Sequence, residues 1–230
     1  MTFWYILLLI LALAAALVFT VQRAMKTDEK SLLLKTVASI AFVLLGFVSF
    51  RGSDGVISVC LLPGLVMGLI GDIYLDLKYV HPGTSTTYTF AGFGAFILGH
   101  LFYLAFLFRQ YPVSGAALVI SILIGIAAGI GIYVTPERMR LNYGKFRVIS
   151  ACYAALLVFV TVYALCLCFA GFTAAKLLFF LGIALFLFSD LVLSQIYFGE
   201  NKNTPLNSMI NHGAYYLGQI LIAASLFLIR

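Results

Sequence analysis

Apolar residues run almost without pause from Phe3 to Ile229, interrupted at short intervals by clusters of Lys, Arg, Asn, Gly and Pro. The runs are about 17–25 residues long, the length an α-helix needs to cross a bilayer, and they lack the in-out alternation of barrel strands. Counting them gives eight spans, about 3–22, 33–50, 55–78, 89–109, 112–134, 147–170, 174–198 and 206–229. In lipid the backbone must bond within its own segment, so the expected fold is all-α, a polytopic transmembrane helical bundle. No linker or low-complexity tract divides the runs, and residues 1–230 read as a single transmembrane domain. The first run has no basic start and is as long as a spanning helix, so it is read as a retained helix and not as a cleaved signal.

Composition sharpens this picture. The chain is 63% hydrophobic and 10% charged, with a mean hydropathy of +1.11, whereas soluble domains are about 45–50% apolar and about 25% charged. A soluble catalytic domain is excluded, and any chemistry must be done at or inside the bilayer. The net charge of +6 resides in short loops, where it reads as a topology signal and as contacts to membrane lipids; no nucleic-acid partner is implied. Arg23, Lys26, Lys30, Lys78, Arg138, Arg140, Lys145, Arg147 and Lys202 lie on one side, against Arg51, Arg109, Lys176 and Arg230 on the other. The positive-inside rule puts the first set in the cytoplasm, so an N-out, C-out protein of the bacterial inner (plasma) membrane is expected. Cys60, Cys152, Cys166 and Cys168 fall inside apolar runs and read as buried small hydrophobes.

The polar residues at membrane depth carry the chemical information, because an ionisable group there costs several kcal/mol unless it is paired, hydrated or neutral. Asp72 and Asp190 lie on spans of the same direction, each roughly 10–13 Å inside the cytoplasmic boundary at 1.5 Å per residue. The last span carries Asn207, Ser208, Asn211, His212, Tyr215, Tyr216 and Gln219 at spacings of three and four, which gathers most of them on one stripe. Lys35, early in span 2, and His100 with Tyr103 in span 4 reach the same layer. These residues predict a polar cavity open to the cytoplasmic leaflet with two carboxyls inside it. Each has a plainer reading: an intramembrane Asp as a helix-to-helix hydrogen bond, His100 as a hydrogen-bonded core residue, Lys35 as an anchor reaching for the headgroups. Asp76, Lys78 and Glu200 read as interfacial. The glycines Gly64, Gly68, Gly71, Gly125 and Gly129 have the spacing of close helix contacts.

Gly71-Asp72 and Ser189-Asp190 lie four spans apart, each followed one span later by His-x-x-Tyr, at His100–Tyr103 and His212–Tyr215. The halves can be read as a 4+4 parallel repeat, and equally as two short chance matches. No Walker loop, GxSxG, HExxH or dinucleotide fingerprint is present, no pair of residues has metal-ligand spacing along one helix, and no cofactor is expected.

Lys35, Gly71-Asp72 with Leu75, Leu98-Gly99-His100-Leu101-Phe102-Tyr103, Ser189-Asp190 and Tyr215-Tyr216-Leu217-Gly218-Gln219 together resemble the YhhN-like family, which includes the lysoplasmalogenases. The resemblance covers about residues 30–228 and implies an eight-span membrane protein. It further implies a hydrolase that cleaves the vinyl ether bond of a lysophospholipid, the lysoplasmalogen, to a fatty aldehyde and a glycerophospho-alcohol. Such a bond is hydrolysed by protonation of its β-carbon and attack of water on the resulting oxocarbenium ion, and paired carboxyls suit both steps. Asp72 and Asp190 are the candidate catalytic pair, with the choice of acid open. His100, Tyr103, Asn211, His212, Tyr215, Tyr216 and Gln219 are the candidates to hold water and substrate, and Lys35 the candidate to meet the lipid phosphate. The rival readings are a proton-coupled transporter or exporter and a non-catalytic lipid sensor.

Overall fold

The computed structural model describes residues 2–49 and 55–229, and Arg51 and Arg230 of the charge pattern lie outside them. Eight helices follow one another: α1 (Thr2–Met25), α2 (Glu29–Ser49), α3 (Gly55–Val80), α4 (Ser85–Gln110), α5 (Gly115–Val134), α6 (Arg147–Ala170), α7 (Ala174–Phe198) and α8 (Pro205–Ser225). Their starts follow from local chemistry. The Asp28 carboxylate accepts from the Ser31 amide at 2.9 Å at the head of α2, and that bond, with Lys26 beside it, holds its carboxyl below the usual carboxylate range. Thr173 and Thr204 cap α7 and α8 in the same way, and Pro205 occupies the first turn of α8. Boundaries differ from the sequence expectation by one turn where polar residues continue a helix: α2 starts at Glu29 and not near 33, and α4 at Ser85 and not near 89.

The helices α1 to α7 are each long and apolar enough to cross a membrane. In α8 the length is there but its polar stripe dilutes the apolar character; the helix is instead wrapped by α1, α2 and α7. Ser208, Asn211, Tyr215, Tyr216 and Gln219 of that stripe are buried, which makes α8 the central element of the bundle. The helices pack mainly as the consecutive pairs α1–α2, α3–α4, α5–α6 and α7–α8.

Glycines set the tightest of these contacts. A Cβ at Gly64 would run into the Tyr103 ring, and one at Gly182 would meet the Gly218 carbonyl and Ile222, each at 2.7 Å. The α7–α8 crossing leaves no room for a methyl group because backbone faces backbone there. Gly182→Ala is therefore expected to lower the melting temperature in detergent, at a cost of about 1–3 kcal/mol from overpacking. Unchanged melting would mean that this crossing opens freely.

One end of the bundle collects the basic loops. There the Asn142 amide bonds the Phe198 carbonyl at 2.8 Å, the Lys145 ammonium donates to Thr86 at 2.6 Å, and the Lys78 ammonium sits 3.1 Å from the centre of the Tyr197 ring. Lys78 is thus half-buried against an aromatic ring near the end of α3. The opposite half of the interior is filled by Phe42, Leu61, Leu65, Phe106, Phe179 and Ile183, all nearly inaccessible. Of the cysteines only Cys60 is buried; Cys152 is exposed on α6, and Cys166 and Cys168 are intermediate, so the reading of all four as core residues is corrected.

Candidate functional site

Helical spacing places Lys35 and Ser39 on one face of α2, and Asp72 and Asp76 on one face of α3. The two faces meet. Lys35 Nζ lies 3.3 Å from Asp72 Oδ1 and 3.1 Å from Asp76 Oδ1, and Arg23 from the end of α1 pairs with the same Asp76 oxygen. All four side chains are buried, so the chain Arg23–Asp76–Lys35–Asp72 alternates in sign and compensates itself inside the bundle. Asp76 is 2% exposed and Lys35 4%. The interfacial reading of Asp76 and the anchor reading of Lys35 are therefore corrected: each finds opposite charge within reach on a neighbouring helix.

Two hydroxyl donors converge on the other oxygen of Asp72. Ser39 donates to Oδ2 at 2.6 Å and Tyr215 at 2.7 Å. Because the Tyr215 proton is spent on Asp72, its oxygen accepts from Gln219 Nε2 at 3.1 Å, and Gln219 Oε1 in turn accepts from Tyr103 at 2.8 Å. Tyr216 approaches Ser39 at 3.0 Å and donates to the Lys35 carbonyl at 3.2 Å. Ser39 and the Tyr103–Gln219–Tyr215 relay direct their protons towards Asp72, which the network holds as an acceptor.

Asp190 is treated differently. Tyr153 of α6 donates to its Oδ2, and among the described residues no cation lies within ion-pairing distance of it. Beside it, Asn211 Nδ2 donates to the Ser189 carbonyl at 2.7 Å, tying α8 to α7 at that level. Asp72 and Asp190 also break the symmetry that a 4+4 repeat suggests. Asp72 is bonded by Tyr215 of α8, but Asp190 is bonded by Tyr153 and not by Tyr103, the corresponding residue of α4.

Both aspartates line one cleft, which has about 940 Å³ of empty space including its open mouth. Lys35, Asn211, His212 and Tyr215 line it too, among Leu75, Phe93, Phe96, Leu157 and Leu187. Exposed Leu191 and partly exposed Ile132, Ala154 and Leu187 are also among its lining residues. A second, more polar cavity lies at the basic end and shares Leu193, Tyr197, Asn211 and His212 with the cleft.

Of the residues singled out from the sequence, Asp72, Asp190, Lys35, Asn211, His212 and Tyr215 thus come together on the cleft. Tyr103, Tyr216 and Gln219 stand behind it as donors, without lining it. His100 also stands behind the wall: its Nδ1 donates to the Phe96 carbonyl at 2.6 Å, and its ring packs edge-on against Tyr103, Tyr153 and Phe186. Its Nε2 is buried without a partner. Among the described residues no group of three His, Cys, Asp or Glu side chains is arranged to hold a metal ion. Sequence reasoning missed Arg23, Ser39, Asp76 and Tyr153. The four-residue spacings Lys35–Ser39 and Asp72–Asp76 were visible signals for two of them, while Tyr153 has no comparable mark.

The fold and the site define a helical membrane protein with two aspartates on one cleft, one facing a lysine and the other a tyrosine. A model of the YhhN family matches residues 30–226, and the chain belongs to that family. No curated protein and no solved structure matches it.

Proposed function

We propose that this chain is a membrane-embedded hydrolase that cleaves the vinyl ether bond of lysoplasmalogen-type lysolipids to a fatty aldehyde and a glycerophospho-alcohol. The observation that carries this reading is the unequal environment of two carboxyls on one cleft. Asp72, facing Lys35 and two hydroxyl donors, serves as the ionised partner that stabilises positive charge. Asp190, with Tyr153 and no cation, serves as the general acid.

In this scheme the Asp190 proton goes to the β-carbon of the vinyl ether, and the ether oxygen shares the positive charge left on the α-carbon. Asp72 stabilises that oxocarbenium ion. Water adds to the α-carbon and returns a proton to Asp190, and the hemiacetal so formed collapses to aldehyde and alcohol. One water is consumed and no redox partner is needed. Apolar lining from Leu75, Phe93, Phe96, Leu157 and Leu187 accommodates the alkenyl chain. Lys35, held between two aspartates, is assigned to fixing Asp72 and not to binding phosphate.

The transport reading is less well supported, because the polar residues gather towards the basic end while the other half of the interior is packed with aromatic and aliphatic side chains. We place the basic end in the cytoplasm on the distribution of Lys and Arg. Incubating the purified protein with 1-alkenyl and 1-acyl lysolipids and assaying released aldehyde tests the proposal. Release from the alkenyl lipids alone is expected, and no release from any of them would remove the hydrolase reading.

A further inference from the structure

The polar cavity at the basic end has a composition unlike that of the neighbouring cleft. Arg23 and Lys26 line it, Thr27, Asn203, Thr204 and Ser208 add neutral hydrogen-bonding groups, and no carboxylate is among its lining residues. Arg23 is held there on two sides. Its guanidinium pairs with Asp76 and lies 5.0 Å from the centre of the Tyr79 ring and 5.6 Å from that of Phe19. A guanidinium has five N–H donors, more than one carboxylate oxygen can take, so a fixed Arg still offers donors to the cavity. The side chain of Lys26 is 72% exposed and pairs with Asp28 at 3.2 Å, an exposed contact that it can exchange for an anion in the cavity at little cost.

The two cavities share Leu193, Tyr197, Asn211 and His212 in their walls. A molecule with an apolar chain and an anionic head could therefore lie with its chain in the cleft, its ether beside the aspartates and its head at Arg23. We infer that this cavity is the subsite for the phosphate of a glycerophospho headgroup, with Arg23 and Lys26 as its cationic ligands. Naming a lysolipid rests on the hydrolase reading; the anion site itself does not.

The test has two arms on the full chain in detergent. In the first, glycerol 3-phosphate, inorganic phosphate and glycerol are compared at equal ionic strength for their effect on melting temperature. Glycerol 3-phosphate is expected to raise it more than inorganic phosphate does, with no effect of glycerol, and the shift should shrink in Lys26→Gln and vanish in Arg23→Gln. In the second, kinetics on a phosphate-bearing alkenyl lysolipid are compared with those on a phosphate-free 1-alkenylglycerol. Lys26→Gln should raise KM for the first substrate about twofold to fivefold relative to the second, the scale of an exposed charge contact. Arg23→Gln should raise the same ratio about tenfold or more, as a buried charged hydrogen bond does. Should loss of the Asp76 pair prevent Arg23→Gln from folding, Lys26→Gln carries both arms.

No melting shift with glycerol 3-phosphate, or an equal KM change for both substrates, overturns the headgroup subsite. Equal shifts from inorganic phosphate and glycerol 3-phosphate with no KM change would assign the cavity to free phosphate and overturn it too. A specific melting shift together with no aldehyde release from wild-type protein would uphold the anion site and remove the hydrolase reading alone.

Discussion

Asp190→Asn is expected to lower aldehyde release by about 10²–10⁴-fold, the usual contribution of a general acid, while leaving the protein folded. The amide keeps the volume of the carboxyl, and its oxygen can still accept from Tyr153. What it cannot do is deliver a proton to carbon. Single-turnover aldehyde release beside a melting curve measures both halves of the expectation. Tyr153→Phe should be milder, about tenfold, because it removes the bond that aims the carboxyl and leaves the acid in place. If Asp190→Asn retains more than a third of wild-type turnover, Asp190 is a packing residue and the assignment of acid must move to Asp72.

The architecture and the layer of the site were readable in the sequence for a simple reason. Lipid removes every backbone solution except helix and barrel, so long apolar runs leave little choice. An ionisable side chain inside such a run must also have a partner, so Asp72, Asp190 and Lys35 stood out before any geometry was known. The stripe on α8 was equally legible from three- and four-residue spacing, and it does face inward.

What the sequence hid was which polar groups meet, because that depends on how helices rotate against one another. Asp76 reads as interfacial when counted from the end of its span, yet the packing of α1 and α2 on α3 brings Arg23 and Lys35 to it. Lys35 reads as a headgroup ligand, yet its ammonium is held between two carboxylates. Tyr153 is one aromatic among many in α6, and only the approach of α6 to α7 sets it apart from the others. The difference between Asp72 and Asp190 is invisible in their similar local sequences, since it comes entirely from residues on other helices.

The alternating charge chain makes Lys35→Met the variant with the largest expected effect on stability. Arg23 and Lys35 balance Asp72 and Asp76, so removing the ammonium leaves one buried negative charge without compensation. Breaking a buried pair from one side costs about 3–5 kcal/mol, because the remaining ion keeps its desolvation penalty. Lys35→Met should therefore melt well below wild type, and its turnover should fall for phosphate-bearing and phosphate-free substrates alike, since Asp72 is no longer held. A second substitution separates charge from packing. In Lys35→Met/Asp72→Asn the Arg23–Asp76 pair is left balanced, and the asparagine oxygen can still accept from Ser39 and Tyr215. Most of the lost stability should return in the double variant, while activity should stay absent because the charge facing the cleft is gone. Melting of the two variants in the same detergent, with aldehyde release measured in parallel, decides the matter. If Lys35→Met melts with wild type, or if the double variant is as unstable as the single one, then the chain from Arg23 to Asp72 is not an electrostatic unit, and Lys35 acts on substrate directly.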